Sequence, residues 1–473
     1  MRMLAVFVFC CAAAAGADEA TRQLSRDIFR ELVEINTTES AGNTTTAAQV
    51  MAKRLRDAGF PAADVPVLGP NARKGNLVAR LRGPAGSRLK PILLIGHLDV
   101  VEARRQDWTT DPFRFIEKDG YFYGRGTQDM KVTDAMLVTT FLRFRREGYQ
   151  PSRDLILALT ADEEGGAANG VEWLLKNHRD LIDAEFVING DPGNVMMDHG
   201  KPVDVEVGAA EKLYADFELT VKNPGGHSSL PRPDNAIYEL AHALTRLEAS
   251  PFPFELNPVT RAYFEALAAA EHGQKAADMR AILQARPAAG AIARLTQDPH
   301  YNATLRTTCV ATRLNAGHAN NALPQTAQAV VNCRILPGHS AEEVRRQLIE
   351  KLGDPKVVVQ YMDGATGAIS DIAPNEMAPA AVRPREDVLQ PLRKIAGEIW
   401  PGAPVIPDME TGASDSKYTD AAGMPSYGIS GVALDTDDIR AHGKDERVRV
   451  SAYDQGVDFF YRYLKALTGA ARQ

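Results

Sequence analysis

The first part of the chain alternates between segments with helical spacing of apolar residues and short apolar runs typical of strands. Leu24, Ile28, Leu32 and Ile35 keep one apolar face and predict a helix over residues 21–35. Further helices are predicted over 44–58, 131–147 and 169–178, and strands over 76–81, 91–101, 155–161 and 185–190. This alternation predicts an α/β fold with a mostly parallel mixed sheet flanked by helices.

The middle of the chain has a different order of elements. Strands are predicted over 213–221, 307–312, 327–336 and 356–361, with helices over 235–248 and 341–352. This order predicts an inserted α+β sandwich with an antiparallel sheet, and residues 287–295 with their surroundings are expected to decorate it. The α/β pattern returns after residue 375 and ends in a helix over 452–467.

The predicted domain organisation therefore has four parts. They are a signal peptide over 1–17, a first catalytic part over 18–211, an inserted lid or dimerisation domain over 212–366, and a second catalytic part over 367–473. The signal peptide is inferred from a positive start, an apolar run to Ala15 and a small-residue cleavage site at 15–17. It predicts a periplasmic or secreted protein. A lipid anchor at Cys10 or Cys11 is the less favoured alternative.

Composition and charge argue against a nucleic-acid partner and a transmembrane segment. The chain has 473 residues, 44% of them hydrophobic, and a net charge of −7. Basic residues are scattered rather than clustered, which argues against nucleic acid. We expect no transmembrane segment, because no later run is long and apolar enough to cross a bilayer. Beyond the signal peptide the cysteines are Cys309 and Cys333, on two predicted strands, which leaves open a cross-strand disulfide or two buried free thiols.

Isolated acidic and histidine residues stand at strand ends or in glycine-rich turns. The sequence places them at His97 and Asp99, Asp129, Glu163 and Glu164, Asp191, and His442. In an open α/β sheet, ligands gather at the carboxyl ends of the strands. Two imidazoles with several carboxylates suit zinc, and the number of carboxylates suits a two-metal site. Of two adjacent glutamates, one can bind metal while the other moves a proton.

With these motifs the chain resembles the co-catalytic zinc metallopeptidase family of glutamate carboxypeptidase, carnosinase-type dipeptidases, aminoacylase and succinyl-diaminopimelate desuccinylase. The resemblance covers about residues 21–468. It implies two Zn²⁺ per subunit, with Mn²⁺ or Co²⁺ as alternatives. The implied metal ligands are His97, Asp129 as the bridge, Glu164, Asp191 and His442. The implied catalytic residues are Asp99, which orients His97, and Glu163, the general base.

One position departs from the pattern of many relatives. They carry Asn-Glu-Gly-Gly where this chain has Asn-Gly-Asp-Pro over 189–192. Other relatives have an acid one residue later, which favours Asp191 as the ligand. Asp198 is the nearby alternative.

The inserted domain carries further matches to the family. The turn over 223–229 resembles the family's lid turn and implies that His227 stabilises the oxyanion. The resemblance also implies substrate-binding roles for Asn321, Arg334 and Gly412, with the guanidinium holding a substrate carboxylate. Arg334 as a structural ion pair is the alternative.

The sequence thus predicts an exported metallopeptidase that hydrolyses amide bonds of short peptides, as a dipeptidase or a carboxypeptidase. An N-acyl amino acid deacylase is the alternative, and a non-catalytic binding protein on the same fold is a remote one. Residues 107–113 resemble the carboxypeptidase-S-like and carnosinase-like branches, which makes a dicarboxylate substrate less favoured. A homodimer through the lid domain is expected from the resemblance.

Overall fold

A computed structural model describes residues 16–469 except 365, 376 and 378. The predicted signal peptide falls almost entirely on residues 1–15, which lie outside the described residues, as do Cys10 and Cys11. Export and the lipid anchor therefore stay predictions. Within the described residues, no helix combines the length and the apolar character that a membrane span needs.

The helices begin and end close to the predicted bounds. The first helix starts two residues before the predicted residue 21, because the Asp18 carboxylate caps it by accepting a hydrogen bond from the Thr21 amide at 2.8 Å. The helices are α1 (Glu19–Glu34), α2 (Thr44–Asp57), α3 (Lys131–Glu147), α4 (Gly170–Asn177), α5 (Arg179–Ile182), α6 (Ala236–Ala249), α7 (Pro258–Ala270), α8 (Gly273–Ile282), α9 (Ala289–Leu295), α10 (Pro299–Thr304), α11 (Ala341–Leu352), α12 (Glu386–Ile399), α13 (Ser416–Ala421) and α14 (Val450–Leu467).

The strands form a large mixed sheet, a smaller antiparallel sheet and two short ribbons. They are β1 (Val67–Leu68), β2 (Asn76–Leu81), β3 (Ile92–His97), β4 (Ile116–Lys118), β5 (Tyr121–Tyr123), β6 (Leu155–Thr160), β7 (Phe186–Asn189), β8 (Val195–Asp198), β9 (Lys201–Glu211), β10 (Leu213–Lys222), β11 (Gly226–His227), β12 (Thr308–Ala316), β13 (Ala322–Leu323), β14 (Thr326–Ile335), β15 (Val358–Met362), β16 (Ile369–Ser370), β17 (Val405–Glu410), β18 (Ser426–Gly428), β19 (Ala433–Asp435) and β20 (Arg447–Arg449).

The large sheet has the order β1-β2-β6-β3-β7-β18-β9-β8-β19, with β17 also pairing with β9. Strands β6, β3, β7 and β18 are parallel neighbours, whereas β2 and β9 run antiparallel to them. Both faces of β3 and β6 are buried under helices, which explains their continuous apolar sequences. The prediction of a mostly parallel mixed sheet flanked by helices is confirmed.

The smaller sheet forms the predicted α+β lid. Its order is β12-β14-β10-β15-β16, and every neighbouring pair is antiparallel. Helices α6 and α11 cover one face, where Phe217, Leu240 and Leu348 lie in a common core. Cys309 and Cys333 are directly opposite each other on β12 and β14, and the structure joins them in a disulfide.

Helices α7 to α10 lie between two lid segments in the sequence but do not decorate the lid sheet. Phe264, Met279 and Leu295 form a core with Ile406 of β17, so these helices pack on the large sheet. The expectation that residues 287–295 belong with the lid is therefore wrong. An amphipathic helix shows that one face is buried, but its sequence does not say which sheet covers that face.

Because of this arrangement, the chain passes between the lid and the large sheet several times, and three passages are bonded together. Lys212 is 1% exposed and its Nζ donates to the Arg306 carbonyl at 2.7 Å. The Arg306 guanidinium donates to the Phe252 carbonyl at 3.2 Å, and the Glu255 amide donates to the Leu305 carbonyl at 2.9 Å. We call residues 212, 252–255 and 305–308 the neck.

Beneath α7, three acidic side chains share one region of the large sheet. Asp204 and Glu206 lie on β9, and Asp408 lies on the adjacent β17. Burial is the main cause that raises the pKa of Asp204 to about 6 and that of Glu206 to about 8, and repulsion from Asp408 adds to both. Since the folded protein favours their protonated forms, it binds more protons than the unfolded chain at neutral pH.

We therefore expect these groups to make the free energy of unfolding fall as pH rises from about 4 to 8, because burial penalises the charged forms that the unfolded chain adopts freely. Glu206→Gln should remove part of this slope and raise stability at pH 8 by about 1–2 kcal/mol. Urea unfolding at pH 5 and pH 8 measures the effect. Glu265→Gln, at an exposed site on α7, is the matched control. An unchanged slope in the Glu206 variant would contradict the assignment.

Candidate metal centre

His97 ends the buried strand β3 and is 2% exposed. Its Nδ1 donates to the main-chain carbonyl of Asp99 at 3.0 Å, which leaves the Nε2 lone pair free. Nε2 lies 3.1 Å from Asp129 Oδ1 and 3.9 Å from Asp191 Oδ1. Neither Nε2 nor Asp129 Oδ1 makes a hydrogen bond of normal geometry with a described residue. Two facing atoms whose lone pairs accept no hydrogen bond are the arrangement expected of ligands that share a cation.

Asp99 lies beyond the end of the strand, although the strand predicted over 91–101 includes it. Strand β3 ends at His97, so the Asp99 carboxylate turns to the next loop and accepts from the amides of Glu163 and Glu164 at 3.3 and 3.0 Å. Its Oδ1 is 3.8 Å from His97 Nδ1. Asp99 therefore orients His97 through its main-chain carbonyl, while its side chain holds the glutamate pair.

Asp129 lies between the two histidines. One carboxylate oxygen faces His97, and the other is 3.0 Å from His442 Nε2. Glu164 approaches the same nitrogen at 2.9 Å. This position between two imidazoles is the one required of a bridging ligand, as the resemblance implies for Asp129.

Two groups of side chains have donor atoms close enough to hold metal. His97, Asp129 and Glu164 form the first group, and His97, Glu163 and Asp191 form the second, with donor atoms within 4.8 Å of one another in each. The structure thus brings together the predicted ligands and the predicted base. It also places Glu163 within ligand distance in the second group.

Asp191 rather than Asp198 reaches the cluster. Asp198 is exposed at the end of β8, away from His97. A Cβ atom at Gly190 would lie 2.6 Å from Thr133 Cγ2, so position 190 has no room for a glutamate without rearrangement. Of the two candidate acids, Asp191 is thus the one whose carboxylate lies beside His97.

The cluster carries an excess of negative charge that a bound cation would offset. Burial is the main cause that raises the pKa of Glu163 to about 10, and the carboxylates of Asp191 and Asp415 raise it further. Burial disfavours the charged form of His97, yet Asp129 and Asp191 outweigh it and hold the His97 pKa well above its usual value. A divalent cation relieves this excess of negative charge, and the donor set of imidazole nitrogen and carboxylate oxygen fits zinc.

Glu446 is a supporting residue whose distant partners the sequence did not reveal. It is fully buried, and its carboxylate accepts from the Gln128 and Asp129 amides at 2.6 and 3.1 Å. The Arg125 guanidinium pairs with it at 2.5 Å. Its position four residues after His442 predicts a local structural partner, but its hydrogen-bond partners Gln128 and Asp129 lie more than 300 positions away in the chain. Glu446 fixes the loop that presents Asp129.

A second support holds the loop of the adjacent glutamates. Asp162, which precedes them, has a φ of 58° and accepts a charge-assisted hydrogen bond from the Lys74 ammonium. It also accepts from the Ala168 amide at 3.2 Å. The pair Lys74–Asp162 thus closes the loop that carries Glu163 and Glu164.

Asn321 and Arg334, with the predicted oxyanion donor His227, lie on the lid, whereas Gly412 follows a strand of the large sheet. His227 on β11 is exposed and its Nδ1 is 2.7 Å from Ser229 Oγ, while the next amide, of Ser228, donates to the Asn321 carbonyl at 3.1 Å. Gly412 follows β17. Hydrogen bonds and ion pairs of the described residues do not link these positions to the metal cluster, so their roles stay predictions.

Arg334 lies on β14 with its guanidinium 4.7 Å from the ring centroid of Tyr214. Among described residues, no carboxylate lies within ion-pair distance of it. The alternative of a structural ion pair is therefore not what the structure shows. A substrate carboxylate remains the predicted partner.

Comparisons with known proteins agree with this geometry. The sequence model described as "Peptidase family M20/M25/M40" matches residues 93–466. The probable carboxypeptidase S-like 2 of Dictyostelium discoideum is 30% identical over 390 residues, covering 80% of this chain and 72% of the relative. The N-fatty-acyl-amino acid synthase/hydrolase PM20D1 of Xenopus tropicalis is 29% identical over 387 residues, with the same coverage.

Among solved structures, the M20 family metallo-carboxypeptidase Sso-CP2 from Sulfolobus solfataricus superposes with a TM-score of 0.67. It is 17% identical in sequence, and the match covers 96% of this chain and all of that one. At this identity the match shows the shared fold. Together with the family match over most of the chain, it leads to one conclusion: this chain belongs to peptidase family M20/M25/M40 and is a metal-dependent hydrolase.

Proposed function

We propose that this chain is an exported di-zinc peptidase that hydrolyses the amide bonds of short peptides. The observation that carries the proposal is the pair of donor groups that share His97 and include Glu163. In this assignment Asp129 bridges, Glu164 and His442 complete one site, and Asp191 completes the other. The disulfide between Cys309 and Cys333 supports export, since disulfides persist in oxidising compartments.

When bound, the ions supply Lewis acidity towards the substrate carbonyl and the attacking water. The residues of the chain do the remaining work. Glu163 accepts the proton of the attacking water and returns it to the leaving nitrogen. Asp99 holds the amides of Glu163 and Glu164, so the proton acceptor keeps its position. His227 is assigned to donate to the tetrahedral oxyanion and Arg334 to hold the substrate carboxylate.

We further propose a homodimer through the lid, as the resemblance implies. Strand β12 is an edge strand of the lid sheet, and Val310 and Leu314 on it are 60% and 68% exposed. An open edge with exposed apolar side chains favours pairing with another chain. A second copy is the occupant that the symmetry of soluble oligomers favours.

The function is tested with purified chain, metal-free and with added Zn²⁺, against free dipeptides, N-blocked dipeptides and N-acyl amino acids. Zinc-restored cleavage of free dipeptides identifies a dipeptidase, and cleavage of N-blocked dipeptides identifies a carboxypeptidase. Preference for the N-acyl amino acids would instead establish the deacylase alternative. Stoichiometric metal binding without any cleavage would overturn the proposal in favour of a binding protein.

Asp129→Asn should lower zinc content from two ions per chain to one or fewer, because the bridging carboxylate loses charge and one ligand atom. Zinc should raise the melting temperature of the wild type by more than that of the variant. Elemental analysis and thermal unfolding with and without Zn²⁺ measure both effects. Asp119→Asn, in the exposed turn between β4 and β5, is the matched control. Two tightly held ions in the Asp129 variant would rule out the bridge.

Glu163→Ala should keep two zinc ions per chain and lose about 10²–10⁴-fold in kcat, the range expected for removal of a general base. Metal content and turnover are measured on the same preparation. Glu172→Ala on α4 serves as control, since its side chain forms a surface ion pair. Normal turnover would refute the base assignment. Loss of one ion would show that Glu163 is a ligand in the second group.

A further inference from the structure

A cavity of about 280 Å³ opens beside the metal cluster. Its wall includes Asp99 and Glu164 of the cluster, Val100 and Gly165, and two further carboxylates, Glu39 and Glu102. A substrate whose scissile amide lies at the cluster places one of its two flanking groups in this cavity. The lining therefore decides which flanking group that is.

The carboxylates of the lining differ in how their charge is compensated. Asp99 accepts from two amides, and Glu164 belongs to the metal-ligand set. Glu39 pairs with the ammonium of Lys74, whose side chain is 11% exposed. Glu102 has no cationic side chain within ion-pair distance among the described residues. Glu102 is also exposed, so of the four carboxylates it is the one available to a cationic group of a bound molecule.

The Glu102 carboxylate is also fixed in position. One oxygen accepts from the Ser40 amide and the other from the Ser40 hydroxyl, both at 2.9 Å. These two contacts tie the loop after β3 to the loop that precedes α2. A carboxylate held in this way is ready to accept an ammonium group without first losing conformational freedom.

Resting on the proposed function, we propose that this cavity binds the amino-terminal residue of a short peptide, with Glu102 pairing with the free α-ammonium group. The cavity repels a substrate carboxylate, so the carboxyl-terminal side of the peptide lies away from it. Its volume lies just below the ~300–1,000 Å³ common for ligand pockets and suits one residue. A fatty-acyl chain would set methylene groups against carboxylates.

The test compares three substrates on zinc-loaded enzyme: alanyl-leucine, N-acetyl-alanyl-leucine and N-palmitoyl-leucine. Wild type should cleave the free dipeptide with the highest kcat/KM. Glu102→Gln should lower kcat/KM for alanyl-leucine about three- to fivefold, mainly through KM, which is the upper range for one exposed ion pair. The acetylated dipeptide, which carries no ammonium, should change by less than about twofold.

Glu117→Gln on the exposed strand β4 is the matched control and should leave the ratio of the two dipeptides unchanged. Ser40→Ala, which loosens Glu102 without removing its charge, should shift the same ratio in the same direction by a smaller factor. It also keeps the test valid if the Glu102 variant does not fold. Metal content and melting temperature confirm that each variant is intact.

An equal loss on both dipeptides, or a highest kcat/KM for N-palmitoyl-leucine, would overturn the assignment of the cavity while leaving amide hydrolysis at the cluster in place. The absence of cleavage of every amide by zinc-loaded wild type would instead overturn the proposed function itself.

Discussion

The concentration of negative charge at the carboxyl ends of buried strands is the constraint on which the rest of the structure depends. Asp129, Glu163, Glu164 and Asp191 surround His97 where solvent screens them poorly. Like charges at this density separate unless cations and fixed hydrogen-bond donors hold them. The affinity for metal and the geometry for hydrolysis thus arise from the same crowding.

The scaffold around the cluster answers this constraint with hydrogen bonds from the main chain. Asp99 accepts hydrogen bonds from the amides of the glutamate pair, and Glu446 accepts them from the amides of Gln128 and Asp129. Both are buried carboxylates that bind no metal in the proposed assignment. These hydrogen bonds fix the two loops, so the metal ligands are preorganised for binding.

The parallel strands and the cluster of ligands at their ends could be predicted from the sequence. Features that depend on contacts between distant segments could not. Apolar runs that end in His97, Thr160 and Asn189 predict parallel strands whose ends meet, and the cluster lies there. The sequence does not show that β3 ends before Asp99, since strand ends depend on hydrogen bonds to neighbours. It also does not show that α7 to α10 cover the large sheet, because the same apolar stripe would suit the lid.

Specificity among the relatives follows from what lies beyond the shared ligands. The curated relatives include a carboxypeptidase S-like protein and an N-fatty-acyl-amino acid synthase/hydrolase at nearly equal identity. Overall similarity therefore does not separate peptides from acyl amino acids. The walls beside the metal centre, built from loops rather than from the sheet, are where such relatives can diverge without disturbing the chemistry.

The neck has a mechanical consequence. Because three chain passages are bonded to one another there, a rotation of the lid relative to the large sheet would have this point as its pivot. Strand β10 leaves the neck and is 10 residues long, about 30 Å from pivot to tip. Arg334 lies opposite Tyr214 at the pivot end, whereas the turn with His227 follows the far end. A small rotation would therefore move the Arg334 guanidinium very little and displace the His227 imidazole by a much larger distance.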